Sequence, residues 1–357
     1  MALNNEVLIV PQKHLLNGEL FRLEGKHRRE DKLPWVELRK ELRKEGLELK
    51  TIDQSDDACN ARAVVFIEVP SPRNRIYRFC LENRMQERLF FMAYEPQIIH
   101  PPNHNADLHS EFKAASTFNN RLVDGRKYFK HNFTLPIRHG DKISLPRGNF
   151  GKKKLLCLIS SNKYSHRKNE LYSERIRAIR FMERNHPADF DLYGVGWDMP
   201  VIHLPLASML PVNAAIQRFY PVFPSLPRFS SYPSYRGVSW DKAKLFPNYK
   251  FTIAYENELG SYGYVSEKIL EAMLYGCVPV YLGERQISSM VPAGCFVDKR
   301  SYSDYRELYE YLSCVDECEH AGYLENIERF LNSKKAYPFT IDAFIESFSR
   351  MLNGGSA

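Results

Sequence analysis

The amino-acid sequence predicts an α/β protein made of two Rossmann-like domains facing across a cleft. Three observations carry that expectation. Short, dense apolar runs of strand type recur between helical patterns, as in a parallel sheet covered on both faces. A polar stretch rich in Gly and Pro, without periodicity, interrupts them at 137–154 and reads as a link. The 357 residues suffice for about two domains, each with a core of its own.

The first half supplies its elements in alternation. EVLIVP (6–11) reads as a strand. LPWVELRKELRKEG (33–46) has helical periodicity and stops at Gly46, after which LELKTI (47–52) returns to strand type. AVVFIEV (63–69) is a β-branched and aromatic run closed by Pro70. MQERLFFMAYEP (85–96) is a helix tail or loop, then a strand ended by Pro96. AASTFNNRLV (114–123) and KHNFTLP (130–136) complete the half. The second half opens on LLCLIS (155–160), followed by a loop, the helix NELYSERIRAIRFMERN (169–185) and DFDLYGVGW (189–197). YKFTIAYEN (249–257) resumes the sheet, and a loop, a helix, CVPVYLG (277–283) and GCFVDKRSYSDYRELYEYL (294–312) follow. The expected domains are 1–150 and 151–345, with 346–357 as a tail. Residues 199–234, with seven prolines, read as a long irregular insertion.

Composition narrows the function. The chain is 44% hydrophobic and 13% aromatic, as a folded protein is, and 50 basic against 43 acidic residues leave a net +7. That mild excess favours an anionic ligand or a peripheral membrane contact, and it falls short of the basic stripe of a nucleic-acid binder. No apolar run approaches the ~18 residues of a membrane span. No secretory signal opens the chain, and seven irregularly spaced cysteines read as reduced thiols, so a cytoplasmic location is expected. There is no His/Asp/Glu cluster at metal spacing, no D-x-D loop pair and no P-loop, so neither a metal nor another cofactor is expected. GVGW (194–197) and GSYG (260–263) are too weak to be dinucleotide fingerprints.

Three positions carry chemistry. In SYGYVSEKILEAMLYGCVPVYLG (261–283), Ser266 is a good N-cap. Ile269, Leu270, Ala272 and Met273 gather on one helical side, and Gly276 suits the left-handed position after the helix. Glu267 agrees with the positive end of the helix dipole. Lys268 opposes it, by a few tenths of a kcal/mol or more, unless an anion lies between. A diphosphate would resolve the conflict; an ordinary capped helix with a surface Glu-Lys pair is the plain alternative. On the 169–185 helix, Arg175 falls in the centre of the apolar arc formed by Leu171, Tyr172, Ala178, Ile179 and Met182. A buried arginine is costly unless it snorkels, meets a carboxylate, or reaches a phosphate with its planar fork. Glu95 stands just beyond the strand LFFMAY, where a general base could sit at a sheet edge, although an ordinary loop carboxylate reads the same way.

At YKFTIAYENELGSYGYVSEKILEAMLYGCVPVYLG (249–283) the sequence resembles the family 10 fucosyltransferases, the α-1,3/1,4 enzymes that use GDP-L-fucose. The residues that carry the likeness are Tyr249, Lys250, Phe251, Glu256, Asn257, Tyr264, Val265, Ser266, Glu267, Lys268, Val278, Pro279, Val280 and Gly283. LISSNKYSHRKNELYSERIRAI resembles the family's phosphate-contacting segment, and FMAYEPQIIHPPNH its Glu-Ser-Pro segment, more loosely. The resemblance implies a metal-independent, inverting glycosyltransferase of the GT-B type. Its acceptor domain comes first and its nucleotide-sugar domain second. It further implies that Arg175 and Lys268 hold the GDP phosphates with Tyr264 beside them, Glu267 meets ribose or fucose hydroxyls, and Asn257 lines the donor pocket. Glu95 would deprotonate an acceptor hydroxyl of a glycan, with an α-1,3 linkage to GlcNAc or Glc. Ser266 stands where threonine is commoner, and Glu258-Leu259-Gly260 replaces the usual Ser-containing loop. The rival readings are a relative using another GDP-deoxyhexose and a non-catalytic nucleotide-sugar or glycan-binding protein.

Overall fold

The computed structural model describes residues 3–24, 29–198 and 232–354; the 199–234 insertion falls almost wholly outside the described residues. The chain forms two compact units. One holds the chain through Lys142, the segment Ser261–Glu267 and everything from Ser333 onward; the other holds Ile143–Gly260 and Lys268–Asn332.

The first unit is a parallel sheet of six strands: β1 Glu6–Val10, β2 Glu48–Thr51, β3 Ala63–Ile67, β4 Leu89–Ala93, β5 Ala114–Thr117 and β6 Tyr128–Lys130, in the order β2-β1-β3-β4-β5-β6. Alternate residues of each strand go to opposite faces. Val7, Ile9, Val65, Phe90 and Met92 join one core with Trp35, Leu38 and Leu42 of helix α1 (Arg29–Lys44). Leu8, Val64, Phe66, Leu89 and Phe91 join the other, with Tyr77 and Cys80 of α2 (Arg75–Glu82). With apolar residues on both faces, the strands read as unbroken apolar runs, which is why the sequence revealed them. Helix α1 ends at Gly46 as expected, with φ +76° and the Leu47 N–H bonded to Leu42 O at 2.9 Å.

The second unit is a parallel sheet of five strands. They are β7 Lys154–Ile159, β8 Phe190–Tyr193, β9 Tyr249–Tyr255, β10 Val278–Leu282 and β11 Val297–Asp298, in the order β11-β10-β9-β7-β8. Its longer helices are α3 (Tyr172–Asn185), α4 (Glu267–Leu274, in this unit from Lys268 onward), α5 (Tyr305–Cys314) and α6 (Glu317–Leu331). The chain runs from β7 outward to β8, then returns to β9 on the other flank of β7. The carboxyl ends of β7 and β9 therefore border a topological switch point, where open α/β sheets place ligands.

The carboxyl terminus differs from expectation. Helix α7 (Ile341–Leu352) extends through most of the anticipated tail, and its Phe344, Phe348 and Met351 enter the first unit's core against Trp35. Phe344, Phe348 and Met351 repeat at helical spacing on one face, with Ile345 and Leu352 packed beside them, and this face accounts for the docking. Residues 143–150 belong with the second unit and the chain from Ser333 onward with the first. All seven cysteines are free thiols, and among the described residues no helix is long and apolar enough to cross a membrane.

Candidate active-site residues

The second unit gathers its candidates at the exit of β9. Arg175, one turn into α3, is only 4% exposed, as its place in the apolar arc foretold. Its Nη2 donates to Tyr255 O and Glu256 O, each at 2.7 Å, and to Asn257 Oδ1 at 3.0 Å. Its partners here include the buried carbonyls of a strand end. A guanidinium satisfies such groups well because its donors fan out in one plane. The backbone strengthens the join: Leu171 N–H bonds Asn257 O at 3.0 Å and Leu259 N–H bonds Asn169 O at 2.8 Å. Arg175 and Asn257 lie together, with Arg175 orienting Asn257 through its amide oxygen.

Lys268, in the first turn of α4, has its Nζ 3.6 Å from Glu256 Oε2, a carboxylate with no exposed surface. The anion required by a cation at the positive end of a helix is therefore supplied by the protein itself. Gly283 makes room for it: a side-chain carbon there would run into Glu256 and the Tyr281 hydroxyl. Burial, and then the Glu256 charge, hold the Tyr281 phenol protonated. At its far end α4 closes on Gly276, φ +72°, with Gly276 N–H bonded to Met273 O and Cys277 N–H to Ala272 O. Sequence reading placed Glu256 in the motif but gave it no task. Its signal was the pairing of a strand-end carboxylate with an ill-placed lysine.

Tyr264 and Glu267 belong to the first unit. The Tyr264 ring packs 5.0 Å from Phe118 and 5.7 Å from Phe133, and Asn120 N–H bonds Tyr262 O at 2.9 Å. The Tyr264 ring is buried in this aromatic cluster. Glu267 opens α4 half-buried.

Glu95 lies two residues beyond β4, half-buried. Its carbonyl accepts from Asn103 Nδ2 at 3.2 Å and from His104 Nε2 at 3.0 Å. Glu68, just beyond the neighbouring strand β3, was missed. Its Oε1 accepts the N–H groups of Tyr94 and Glu95, each at 3.2 Å, and its Oε2 accepts from Asn103 Nδ2. Burial, with the Glu95 charge adding, raises the Glu68 carboxyl to about 7, against the lowering effect of those hydrogen bonds. From the ordinary carboxylate value up to about 7, the native protein keeps a proton that the unfolded chain has released. Glu68 therefore favours the fold most below the ordinary value, and that contribution falls as pH rises through about 7. The loss is on the order of 3 kcal/mol. Urea unfolding at pH 5 and pH 8 should show wild type losing more stability than Glu68→Gln; equal losses would contradict the buried carboxyl. Among the described residues, no group of three or more His, Cys, Asp or Glu could hold a metal ion.

Both units are open parallel α/β sheets, as in the GT-B fold of glycosyltransferases. The fold of a solved alpha1,3-fucosyltransferase matches at TM-score 0.52 and 12% identity, over 100% of this chain and 91% of that one. An alpha-glucosyltransferase in complex with UDP and a 13-mer DNA containing a HMU base matches at TM-score 0.55 and 12% identity, over 97% and 99%. Residues 234–339 match the family model described as glycosyltransferase family 10 (fucosyltransferase) C-term. The GDP-fucose protein O-fucosyltransferase 3 of Gallus gallus is 34% identical over 85 residues, 23% of this chain and 18% of that protein. The Helicobacter pylori alpha-(1,3)-fucosyltransferase is 31% identical over 100 residues, 27% and 20%. The human 4-galactosyl-N-acetylglucosaminide 3-alpha-L-fucosyltransferase 9 is 32% identical over 100 residues, 28% and 26%. The matched stretch thus spans about a quarter or less of each relative's own length.

Proposed function

We propose that the protein transfers L-fucose from GDP-fucose to a hydroxyl of a saccharide acceptor, with inversion at the anomeric carbon. The observation that carries this reading is the exit of β9, where Arg175, Asn257, Glu256 and Lys268 converge within or beside the family 10 segment. In this account the second domain grips the donor. Lys268 and the amides of α4 meet the diphosphate, Asn257 lines the sugar side, and Arg175 works by fixing the strand end that carries Asn257. Glu267 meets donor hydroxyls, and Tyr264 acts by anchoring its segment. The first domain contributes Glu95 as general base. It removes the acceptor O–H proton as that oxygen attacks the fucose anomeric carbon, and GDP departs with the electron pair of the broken C–O bond. Fixed positive charge and helix amides stabilise the negative charge that gathers on GDP.

Lys268→Ala should weaken GDP binding about 10- to 100-fold, the worth of one hydrogen bond to a charged group. Calorimetry checks this, and unchanged affinity would remove Lys268 from the phosphate grip. Incubation with GDP-fucose and a glycan panel, read by product mass with and without EDTA, tests the function. A gain of one deoxyhexose on an acceptor, undiminished by the chelator, is expected. No product from any GDP-sugar would favour a binding protein, and loss in EDTA with rescue by Mn²⁺ would contradict metal-free transfer.

A further inference from the structure

We infer that Glu68 is a positioning residue for Glu95: its half-buried carboxylate fixes the backbone turn that presents the base. The inference rests on Glu95 being that base. The adjacent parallel strands β3 and β4 bring the residues that follow them to one sheet edge, where Glu68 N–H bonds Met92 O at 2.9 Å. Glu68 adopts φ +70°, a left-handed conformation that a non-glycine residue holds only when its surroundings enforce it. That conformation lets its side chain fold back over the end of β4. One carboxylate oxygen then takes the N–H groups of Tyr94 and Glu95 together, and the other takes Asn103 Nδ2.

The short helical turn Pro101–His104 completes a clasp around both strand ends. Asn103 donates to Glu68 and to Glu95 O, while its own amide oxygen accepts Val69 N–H at 3.0 Å. His104 Nε2 holds the same Glu95 carbonyl, and His100 Nε2 lies 2.7 Å from Val69 O. The backbone on either side of the Glu95 side chain is thereby fixed: the N–H by Glu68, the carbonyl by Asn103 and His104. Loops ordinarily leave such groups to water. The half-buried Glu68 carboxylate thus spends its acceptor oxygens on a single turn. Glu68 does not touch the reacting atoms; its effect runs through the aim of Glu95, and a displacement of about 1 Å at a catalytic group can cost on the order of a hundredfold.

The test uses the full chain and separates kcat from KM. Glu68→Gln keeps an oxygen for the two N–H groups but turns an amide toward the Asn103 amide. It should lower kcat about 10- to 100-fold with donor KM and GDP affinity unchanged. Glu68→Gln/Asn103→Asp exchanges donor and acceptor across the contact but gives up the Asn103 bond to Glu95 O, and should recover only part of the loss. Asn103→Ser leaves the carboxylate in place and loosens only the clasp; it should lower kcat in the same pattern and decides the question should Glu68→Gln fail to fold. Wild-type kcat in the folded single variants, or a parallel fall in GDP affinity, would overturn the inference. Glu95→Gln distinguishes the two levels. If it retains turnover, the base assignment itself fails; if it is inactive while Glu68→Gln is normal, only the positioning role fails.

Discussion

Glu95→Gln is expected to lower fucosyl transfer by about 10²- to 10⁴-fold, the usual worth of a positioned general base, while leaving GDP affinity and unfolding midpoint near wild type. The amide matches the carboxylate in shape but cannot accept a proton at working pH. The backbone bonds that hold the turn, from Glu68, Asn103 and His104, all involve main-chain atoms of residue 95 and survive the change. The loss should therefore appear in kcat, because an interaction made only in the transition state lowers kcat and kcat/KM together. Single-turnover assays with saturating donor measure it. A variant that turns over normally would move the base elsewhere.

Arg175→Ala is expected to lower stability by about 3 kcal/mol or more and to weaken GDP binding along with it. Removing the guanidinium leaves Tyr255 O, Glu256 O and Asn257 Oδ1 without their Nη2 donor, and each buried acceptor left short costs about 1–3 kcal/mol, with incomplete additivity. The side chain is 4% exposed, so water cannot readily take its place. Arg175→Lys should recover only part, since an ammonium on a shorter stem does not place its donors where Nη2 sits. Urea unfolding followed by titration with GDP checks both effects. Stability within about 0.5 kcal/mol of wild type would show that the strand end does not depend on Arg175.

The sequence revealed what is repeated or local. Strands β1, β3, β4, β7, β9 and β10 are buried runs whose apolar density needs no knowledge of neighbours. The end of α4 at Gly276 follows from a backbone conformation that glycine favours. The burial of Arg175 was legible in the 3.6-residue period; its partners were not. They are backbone carbonyls 80 and 81 residues away, which any sequence would offer. Lys268 was recognised as needing an anion, but a phosphate and a carboxylate satisfy the dipole alike, and only the fold brings Glu256 beside it. The ring of Tyr264 went to Phe118 and Phe133 because nothing local distinguishes a pocket tyrosine from a packing one. Glu68 had one available signal. It follows AVVFI as closely as Glu95 follows its own strand, and parallel neighbours bring such positions to the same edge.

The donor grip at the end of β9 is the claim on which the function rests, and a crystal structure with GDP-fucose bound tests it most directly. The account predicts the diphosphate at the N-terminus of α4, with a phosphate oxygen within hydrogen-bond distance of Lys268 Nζ, about 3 Å, and the fucose beside Asn257. A nucleotide bound away from the β9 exit, with Lys268 still facing Glu256 alone, would contradict it.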